Sequence, residues 1–397
     1  MIRSIHPFPA RMAPDLALER LVKLPPASTV LDPMAGSGTV LKQAAALGHF
    51  AKGFDVDPLA VMMARAWVSP LDATLLDKRS AEIMVIAQED DDVDLPWIDG
   101  DQETSDFIDY WFAQDQKAQL RRFAFGLAKL RQQIDGAADQ AISDVLHIAL
   151  SRTIITKEQA ASLARDTSHS RPHRVSETSS YDVCDGFSRS LKEVRKRLGQ
   201  SATSLSCEIG LGDARRLGSV EAGSIDAVMT SPPYLNAIDY MRGHRLALVW
   251  MGHKLSDLRS IRSASIGTER GIEAAQQAEL VDQVALAMGK LGELPSRFSG
   301  MSKRYARDLI DICGETARVL KPGGTATFVI GNSCLKGIFI SNADGLASAA
   351  HSMGLLEQER IDRELPTRSR YLPVTGAALE KRMKTETVFT FQKPKSA

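Results

Sequence analysis

Short apolar runs alternate with amphipathic segments in two separated parts of the chain. Each run is bounded by polar or turn-forming residues, which predicts a strand. The strands predicted in this way cover residues 28–32, 51–55, 206–211, 225–230, 325–330 and 386–392. Helices are predicted over 39–47 and 304–320, the second ending at a Lys-Pro-Gly-Gly turn over 321–324. Strands that alternate with helices indicate an α/β fold built on a doubly wound, mostly parallel sheet.

A helical stretch separates these two parts. Apolar residues recur at i, i+3 or i+4 over 105–150, and the pattern resumes over 186–198. The stretch 162–180 is rich in Ser, Thr, Arg and His and only weakly periodic, so we expect mostly loop there. We therefore expect an α/β core formed by residues 1–68, 205–254 and 302–397, a mainly helical insertion over 69–204, and a second insertion over 255–301.

The composition is that of an ordinary globular protein. Over 397 residues, 49 Lys and Arg balance 49 Asp and Glu, so no overall basic field indicates a nucleic-acid partner. We expect a cytoplasmic protein because we find neither a long uncharged apolar run nor the apolar core of a signal peptide. The four cysteines form no CxxC pair and the eight histidines no HExxH spacing, so no metal site is expected.

Glycines and acids mark a candidate ligand site at the ends of the predicted strands. The first strand leads into a turn containing Gly36 and Gly38, where the backbone can approach a ligand closely. Their spacing fits neither the dinucleotide-binding nor the P-loop pattern. Asp55 ends the second strand, where an acid can hold a ribose diol, and Asp57 is an alternative for that role. Asp213 follows the third strand and falls on the same edge of the sheet.

The sequence Thr-Ser-Pro-Pro-Tyr over 230–234 closes the fourth predicted strand. Two consecutive prolines cannot donate hydrogen bonds to a sheet, so the strand must stop there and present a stiff, extended carbonyl. The Ser231 hydroxyl and the Pro232 carbonyl could accept the hydrogens of an exocyclic amine, while the Tyr234 ring stacks on the base. An ordinary proline turn, with Tyr234 packed in the core, is the alternative interpretation.

Three segments together resemble the amino-group DNA methyltransferases that use S-adenosyl-L-methionine. They are the Asp-Pro-Met-Ala-Gly-Ser-Gly-Thr run over 32–39, the Gly-Phe-Asp-Val-Asp-Pro run over 53–58, and the Thr-Ser-Pro-Pro-Tyr run over 230–234. The opening residues 6–11 are similar to motif X of that family, and residues 318–324 resemble the entry to its fifth strand. The resemblance implies a seven-stranded Rossmann-like methyltransferase sheet.

The resemblance also implies a role for each matched residue. Those that would surround the amino-acid part of S-adenosyl-L-methionine are Asp32, Gly36, Gly38 and Thr39, with Pro33 and Ala35 beside them. Asp55 would bind the ribose, and Asp213, with Ala214 next to it, the adenine amine. Phe8 and Pro9 would line the mouth of the pocket, and the target base would be held by Ser231, Pro232, Pro233 and Tyr234.

The substrate that the resemblance implies is a base flipped out of double-stranded DNA. Family members with Ser at the position of Ser231 mostly methylate cytosine at N4, so this target is favoured. N6 of adenine, an RNA base amine, and a non-catalytic cofactor- or DNA-binding subunit stay open as alternatives. A cognate restriction endonuclease or another subunit of a defence system is a partner consistent with such an enzyme.

The insertions 69–204 and 255–301 are the candidate regions for DNA contact, together with two arginines after the Pro-Pro loop. Residues 60–150 hold 8 Lys and Arg against 17 Asp and Glu, whereas residues 151–200 hold 10 against 6. The basic stretch suits phosphate contact, and the acidic one should face away from DNA. The candidates are Arg152, Lys157, Arg165, Arg171 and Arg174, followed by Arg242 and Arg245 after the Pro-Pro loop. The basic stretch could instead be a solvated loop, and the last two arginines could pair with acids inside the fold.

Overall fold

A seven-stranded sheet forms the centre of the fold. The structure, a computed structural model, describes residues 5–7, 12–156, 159–165, 172–199, 207–235, 239–267, 277–364 and 385–395. The strands in chain order are β1 (Thr29–Asp32), β2 (Phe50–Asp55), β3 (Ala164–Arg165), β4 (His173–Arg174), β5 (Cys207–Leu211), β6 (Ile225–Thr230), β7 (Leu320–Gly331), β8 (Ser333–Leu335), β9 (Ile338–Ile340), β10 (Leu356–Glu364) and β11 (Thr385–Gln392). The central sheet has the order β10-β11-β7-β6-β1-β2-β5, while β3 pairs with β4 and β8 with β9.

The sheet is mostly parallel and its chain order reverses at β1. Strands β5, β2, β1, β6 and β7 run parallel, and β11 lies antiparallel to both β7 and β10. From β1 the chain proceeds outward to β2 and β5 on one side, then returns to β6 and β7 on the other. Ligands of open α/β sheets bind beyond the carboxyl ends of the strands at such a reversal. This topology confirms the predicted doubly wound, Rossmann-like sheet and fixes where a ligand would lie.

Helices cover both faces of the sheet and form the segment between β2 and β5. They are α1 (Pro14–Leu21), α2 (Thr39–Ala46), α3 (Pro58–Val68), α4 (Ala73–Gln88), α5 (Pro96–Asp99), α6 (Gln102–Trp111), α7 (Gln114–Gln132), α8 (Ala137–Ile154), α9 (Val183–Leu198), α10 (Met241–Leu248), α11 (Leu255–Ala264), α12 (Ala278–Ala287), α13 (Ser296–Val319) and α14 (Asn342–Ser352). Short 3-10 helices follow at Val249–Met251 and Leu291–Glu293. None of the described helices is long and apolar enough to cross a membrane.

The predicted strands all occur, with one correction at β7. This strand begins at Leu320, so the 321–324 turn that was predicted to separate helix from strand lies inside the strand. Pairing between β6 and β7 continues past it through a register shift between Ile225 and Ala227, with Gly323 at a φ of 80°. Residues 321–324 therefore form an irregularity within β7 and not a turn before it. The apolar pattern predicts none of β8, β9 and β10.

Successive residues of the central strands enter different hydrophobic cores. Val30 of β1 packs in a core with residues of α1 and α2, whereas its neighbour Leu31 packs with residues of α13 and α14. In β6, Met229 packs in the core that contains Val30, and its neighbour Val228 packs in the core that contains Leu31. Because strand side chains alternate between faces, a sheet covered on both sides produces continuous apolar strands of this kind.

The predicted helical insertion has a third core of its own. Helices α4 to α9 lie between β2 and β5, and their apolar side chains pack with those of α3 and α10. The stretch 162–180, as far as it is described, is mostly loop with the two-residue strands β3 and β4. Arg65 of α3 donates two hydrogen bonds, of 2.7 and 3.0 Å, to the carboxylate of Asp144 in α8. The Asp144 side chain is 2% exposed, so a buried ion pair joins the insertion to the sheet region.

We expect Arg65→Met to lower the free energy of unfolding by about 3 kcal/mol, because the Asp144 carboxylate stays buried after losing its cation. Arg195→Met is the matched control, since it removes an ion pair with Asp77 between α9 and α4 whose side chains are 37% and 58% exposed. The control should lose less than about 1 kcal/mol. Urea denaturation measures both, and equal losses would contradict a bridging role for the buried pair.

Candidate active site

The turn between β1 and α2 lies over the carboxyl ends of β1 and β2. Gly36 and Gly38 have positive φ angles of 49° and 82°. The Ala35 N–H donates to the Phe54 carbonyl at 2.9 Å, which ties the turn to β2. A Cβ placed on Gly38 would lie 2.9 Å from the Cα of Ala64 in α3. Glycine is therefore required at position 38 both by the backbone conformation and by the close approach of α3.

Asp55, at the end of β2, holds this turn in place. Its Oδ2 accepts the N–H of Gly36 at 2.8 Å, and its Oδ1 accepts the N–H of Asp57 at 2.9 Å. Burial, and then repulsion from the Asp57 carboxylate, raise the pKa of Asp55 to about 6. Each carboxylate oxygen has room for a second donor. Asp55 can therefore both fix the turn and accept hydrogen bonds from a ligand at the sheet edge.

Asp32, at the end of β1, connects the turn to β6. The Thr230 hydroxyl donates to Asp32 Oδ1 at 2.7 Å, and the Met34 N–H donates to the same oxygen at 3.2 Å. The residue is 4% exposed, and burial raises the pKa of Asp32 to about 7. Because Thr230 directly precedes Ser231, this hydrogen bond places the glycine turn beside the Pro-Pro loop.

Asp57 has a structural position that the sequence did not reveal. Its Oδ1 accepts the N–H of Leu59 and caps α3, while its Oδ2 is paired with Nδ1 of His244 from α10. Burial opposes the charge on Asp57, but the pairing with His244 outweighs it and holds the pKa of Asp57 below its usual value. Both side chains are less than a tenth exposed. Asp57 is thus engaged in the cap and in the contact with His244, which favours Asp55 as the acid that faces a ligand.

The His244 ring also contacts the start of the chain. The rings of His6 and His244 meet edge to face with centroids 6.3 Å apart. Nε2 of His6 lies 2.9 Å from the hydroxyl oxygen of Ser151 in α8. The first described residues are thereby held between α10 and helix α8 of the insertion. Phe8 and Pro9, which are predicted to line the pocket mouth, lie outside the described residues.

The Pro-Pro loop is fixed from the neighbouring strand and from α13. The Ser231 hydroxyl donates to the Val329 carbonyl of β7 at 3.0 Å. The hydroxyl of the fully buried Tyr305 donates to the Pro233 carbonyl at 3.0 Å. Pro232 is buried, and Tyr234 is partly buried against the core that contains α13 and α14. Tyr305 was not identified from the sequence because its position in a helical apolar pattern marks it only as a core residue.

The acid after β5 lies in an ion-pair network. Both oxygens of Asp213 accept hydrogen bonds from the Arg215 side chain, and Arg215 also donates to Asp308 of α13 at 2.7 Å. Burial opposes the charge on Asp213, but the Arg215 contacts outweigh it and hold the pKa of Asp213 below its usual value. Ala214 is buried. The adenine contact of Asp213 and Ala214 stays a prediction, and an adenine amine would have to share the carboxylate with Arg215.

The candidate DNA contacts fall into different environments. Arg152 donates to the Ile5 carbonyl at 2.7 Å, and burial, followed by repulsion from Arg197, lowers the pKa of Arg152 to about 10. It anchors the start of the chain, and its contact with DNA stays a prediction. Arg165 donates to the Ala164 carbonyl, and the exposed Arg174 lies over the Tyr110 ring at 5.1 Å. Lys157 and Arg171 lie outside the described residues.

The sequence of this chain gives a more informative match to known proteins than its structure does. A scan of family models finds no match. The chain is 23% identical over 367 residues to the type II methyltransferase M.MvaI of Kocuria varians, an alignment that covers 84% of this chain and 78% of that protein. The likeness therefore extends along most of both sequences.

Solved structures give a weaker likeness. A DNA modification methylase from Thermus thermophilus is 16% identical with a TM-score of 0.23, covering 47% of this chain and 52%, about half, of that one. An S-adenosylmethionine-dependent methyltransferase from Methanosarcina mazei is 10% identical with a TM-score of 0.33, covering 94% and 95% of the two chains. With values this low, the fold assignment rests on the sheet topology given above.

We expect Gly38→Ala to lower the free energy of unfolding more than Gly48→Ala does. Both positions have similar positive φ angles, 82° and 79°, so each substitution should cost about 1–2 kcal/mol for the left-handed backbone. Only Gly38 has α3 against it, since nothing lies within 4 Å of a Cβ on Gly48. The collision should add at least about 1 kcal/mol in urea denaturation. Equal losses would show that α3 does not constrain the turn.

Proposed function

We propose that this protein methylates an exocyclic amine of a flipped base in double-stranded DNA, with S-adenosyl-L-methionine as methyl donor and N4 of cytosine as the favoured target. The hydrogen bond from Thr230 to Asp32 is the observation that carries the proposal. It joins the loop expected to hold the base to the turn expected to hold the cofactor, at the reversal of the sheet order where ligands bind. The sequence likeness to a type II methyltransferase supports the same assignment.

The residues of the turn fit the proposed cofactor. The hydroxyls of Ser37 and Thr39 are buried, and no described residue hydrogen-bonds to them, so they suit a polar ligand. Buried polar groups normally have partners, which makes two orphans in one turn unusual. Asp32 and Asp55 offer carboxyl oxygens to a cationic amino acid and to a ribose diol. Pro33, Ala35, Gly36 and Gly38 supply the backbone beside them.

The Pro-Pro loop would orient the target amine and stabilise its charge. When bound, S-adenosyl-L-methionine supplies a methyl group that its sulfonium already activates. Ser231 gives its one hydroxyl hydrogen to Val329, which leaves its lone pairs for an amine N–H. The Pro232 carbonyl is the second acceptor. Two fixed acceptors favour positive charge on the amine nitrogen and hold its lone pair in line for attack.

The same loop can bind a base that has left the DNA double helix. The Tyr305 hydrogen bond to the Pro233 carbonyl fixes the loop behind the acceptors. The partly buried Tyr234 supplies a ring on which the base can stack, which offsets part of the few kcal/mol that flipping requires. The neutral Ser231 hydroxyl can accept from either base amine, so N6 of adenine is the second target. Because the chain is similar to a type II methyltransferase, we also propose a cognate restriction endonuclease as its partner.

Mass spectrometry of nucleosides tests the proposal directly. We expect N4-methylcytosine in unmethylated DNA incubated with the protein and S-adenosyl-L-methionine, and none in an RNA sample treated alongside. Ser231→Ala should lower turnover at least about tenfold, because it removes one hydrogen bond to the amine in the transition state. Ser224→Ala, just before the amino end of the same strand, is the control and should retain full turnover.

Three results of that experiment would revise the proposal. N6-methyladenine would keep the mechanism and change the target base. Methylated RNA alone would replace the DNA substrate with an RNA one. No product in either sample, with the cofactor bound, would indicate a non-catalytic subunit.

We expect the affinity for S-adenosyl-L-methionine to rise as the pH increases from about 5 to about 7. The raised pKa values mean that Asp55 holds its proton up to about pH 6 and Asp32 up to about pH 7 in the free protein. A cationic ligand favours the ionised carboxyls, so binding must release protons in this range. Calorimetry in two buffers of different ionisation enthalpy measures that release. Asp32→Asn should remove the part of the pH dependence near pH 7, and a flat profile for the unmodified protein would contradict the cofactor roles of both acids.

A further inference from the structure

Three arginines meet where α10, α11 and α6 come together. Arg242 and Arg245 lie on α10 and Arg262 on α11, and we call these three the arginine cluster. Nε of Arg242 and Nε of Arg262 both donate to Oδ2 of Asp239, at 3.1 and 2.5 Å. In the part of the chain that the structure describes, Arg245 has no carboxylate partner. Among the described residues, one carboxylate therefore serves three guanidinium groups and leaves an excess of two positive charges.

Arg245 is the least satisfied member of the cluster. Its guanidinium carbon lies 5.1 Å from the centre of the Phe107 ring of α6. Its Nε is buried, and no described residue accepts a hydrogen bond from it. Burial, and then the charges of Arg262 and Arg242, lower the pKa of Arg245. A desolvated cation beside two others is an unfavourable arrangement that a bound anion would relieve.

A neighbouring pair shows what a purely structural contact at this junction looks like. Arg259, one turn before Arg262 on α11, pairs with Glu103 of α6, and these side chains are 54% and 41% exposed. That contact already joins α11 to α6 with balanced charge. If the cluster only joined α10 to its neighbouring helices it would need no excess of arginine, so its charge imbalance indicates a ligand.

The location of the cluster connects it to the proposed reaction. Helix α10 begins seven residues after Tyr234, and its His244 is paired with Asp57 at the edge of the sheet. The cluster therefore belongs to the helix that follows the base-binding loop. Its outer members remain accessible, since the side chains of Arg242 and Arg262 are 42% and 36% exposed.

We propose that the arginine cluster binds one phosphate of the DNA backbone beside the flipped nucleotide. This inference rests on the proposed function. A guanidinium presents a planar fork of donors that matches the oxygens of a phosphate, and such contacts position DNA without reading its sequence. Asp239 holds Arg242 and Arg262 in place, and the phosphate supplies the charge that Asp239 alone cannot. The cluster would thereby hold open the strand from which the base has turned out.

The salt dependence of DNA binding tests the site without knowledge of the recognition sequence. Binding of a labelled unmethylated duplex is measured from about 50 to about 200 mM salt for the unmodified protein, Arg242→Gln and Arg262→Gln. Each substitution should reduce the slope of log K against log salt by about 1, because one phosphate contact is lost. Arg262→Lys keeps the charge and should retain the slope. Arg259→Gln on the same helix is the control and should leave it unchanged.

Separate readouts distinguish failure of the site from failure of the proposed function. Affinity for S-adenosyl-L-methionine and the thermal midpoint should stay close to the unmodified values in every variant, which shows that the fold is intact. Unchanged slopes with an unmodified protein that methylates DNA would overturn the phosphate site alone. An unmodified protein that neither binds nor methylates duplex would overturn both proposals. A slope change seen with structured RNA and not with duplex would overturn the DNA assignment.

Discussion

Buried and half-buried carboxyl groups at one edge of the sheet set the arrangement of the rest of the site. Asp32, Asp55 and Asp57 lie at the ends of β1 and β2, and an acid removed from water must find hydrogen bonds or a cation. Asp55 obtains them from the turn and Asp57 from a helix cap and His244. These hydrogen bonds therefore position the glycine turn, α3 and α10. Burial raises the pKa of Asp32 and of Asp55, and a cationic ligand would favour their ionised forms.

The central strands could be predicted from the sequence because the sheet is covered on both faces. β6 was predicted to the residue, since both of its faces are buried and its apolar run ends at a proline. β10 was missed for the opposite reason: it is an edge strand whose residues include Glu357, Glu359 and Arg360, and most of them are exposed. Charged edge strands protect a sheet from further pairing, and this removes the pattern by which a strand is recognised.

The placement of site residues followed from topology, but their partners did not. Gly36, Asp55 and Thr230 could be assigned to one edge because the carboxyl ends of parallel strands converge there. The hydrogen bond between Tyr305 and Pro233 joins residues 72 apart, and that between Arg152 and Ile5 joins residues 147 apart. Such contacts depend on how helices pack across the sheet, which no local pattern records. For this reason the sequence did not reveal that Arg152 anchors the start of the chain.

The position of the helical insertion within the chain also affects how the protein is made. β1 pairs with β2, which follows it closely, and with β6, whose Ala227 lies opposite Val30. At typical synthesis rates of about 5–20 residues per second, roughly 9 to 35 seconds separate the emergence of β2 from that of β6. The third core also forms late in synthesis, because its Trp250 follows β6 in the sequence. The third core therefore stays open on the ribosome until the segment after β6 arrives, and the loop that would hold the base is part of that segment.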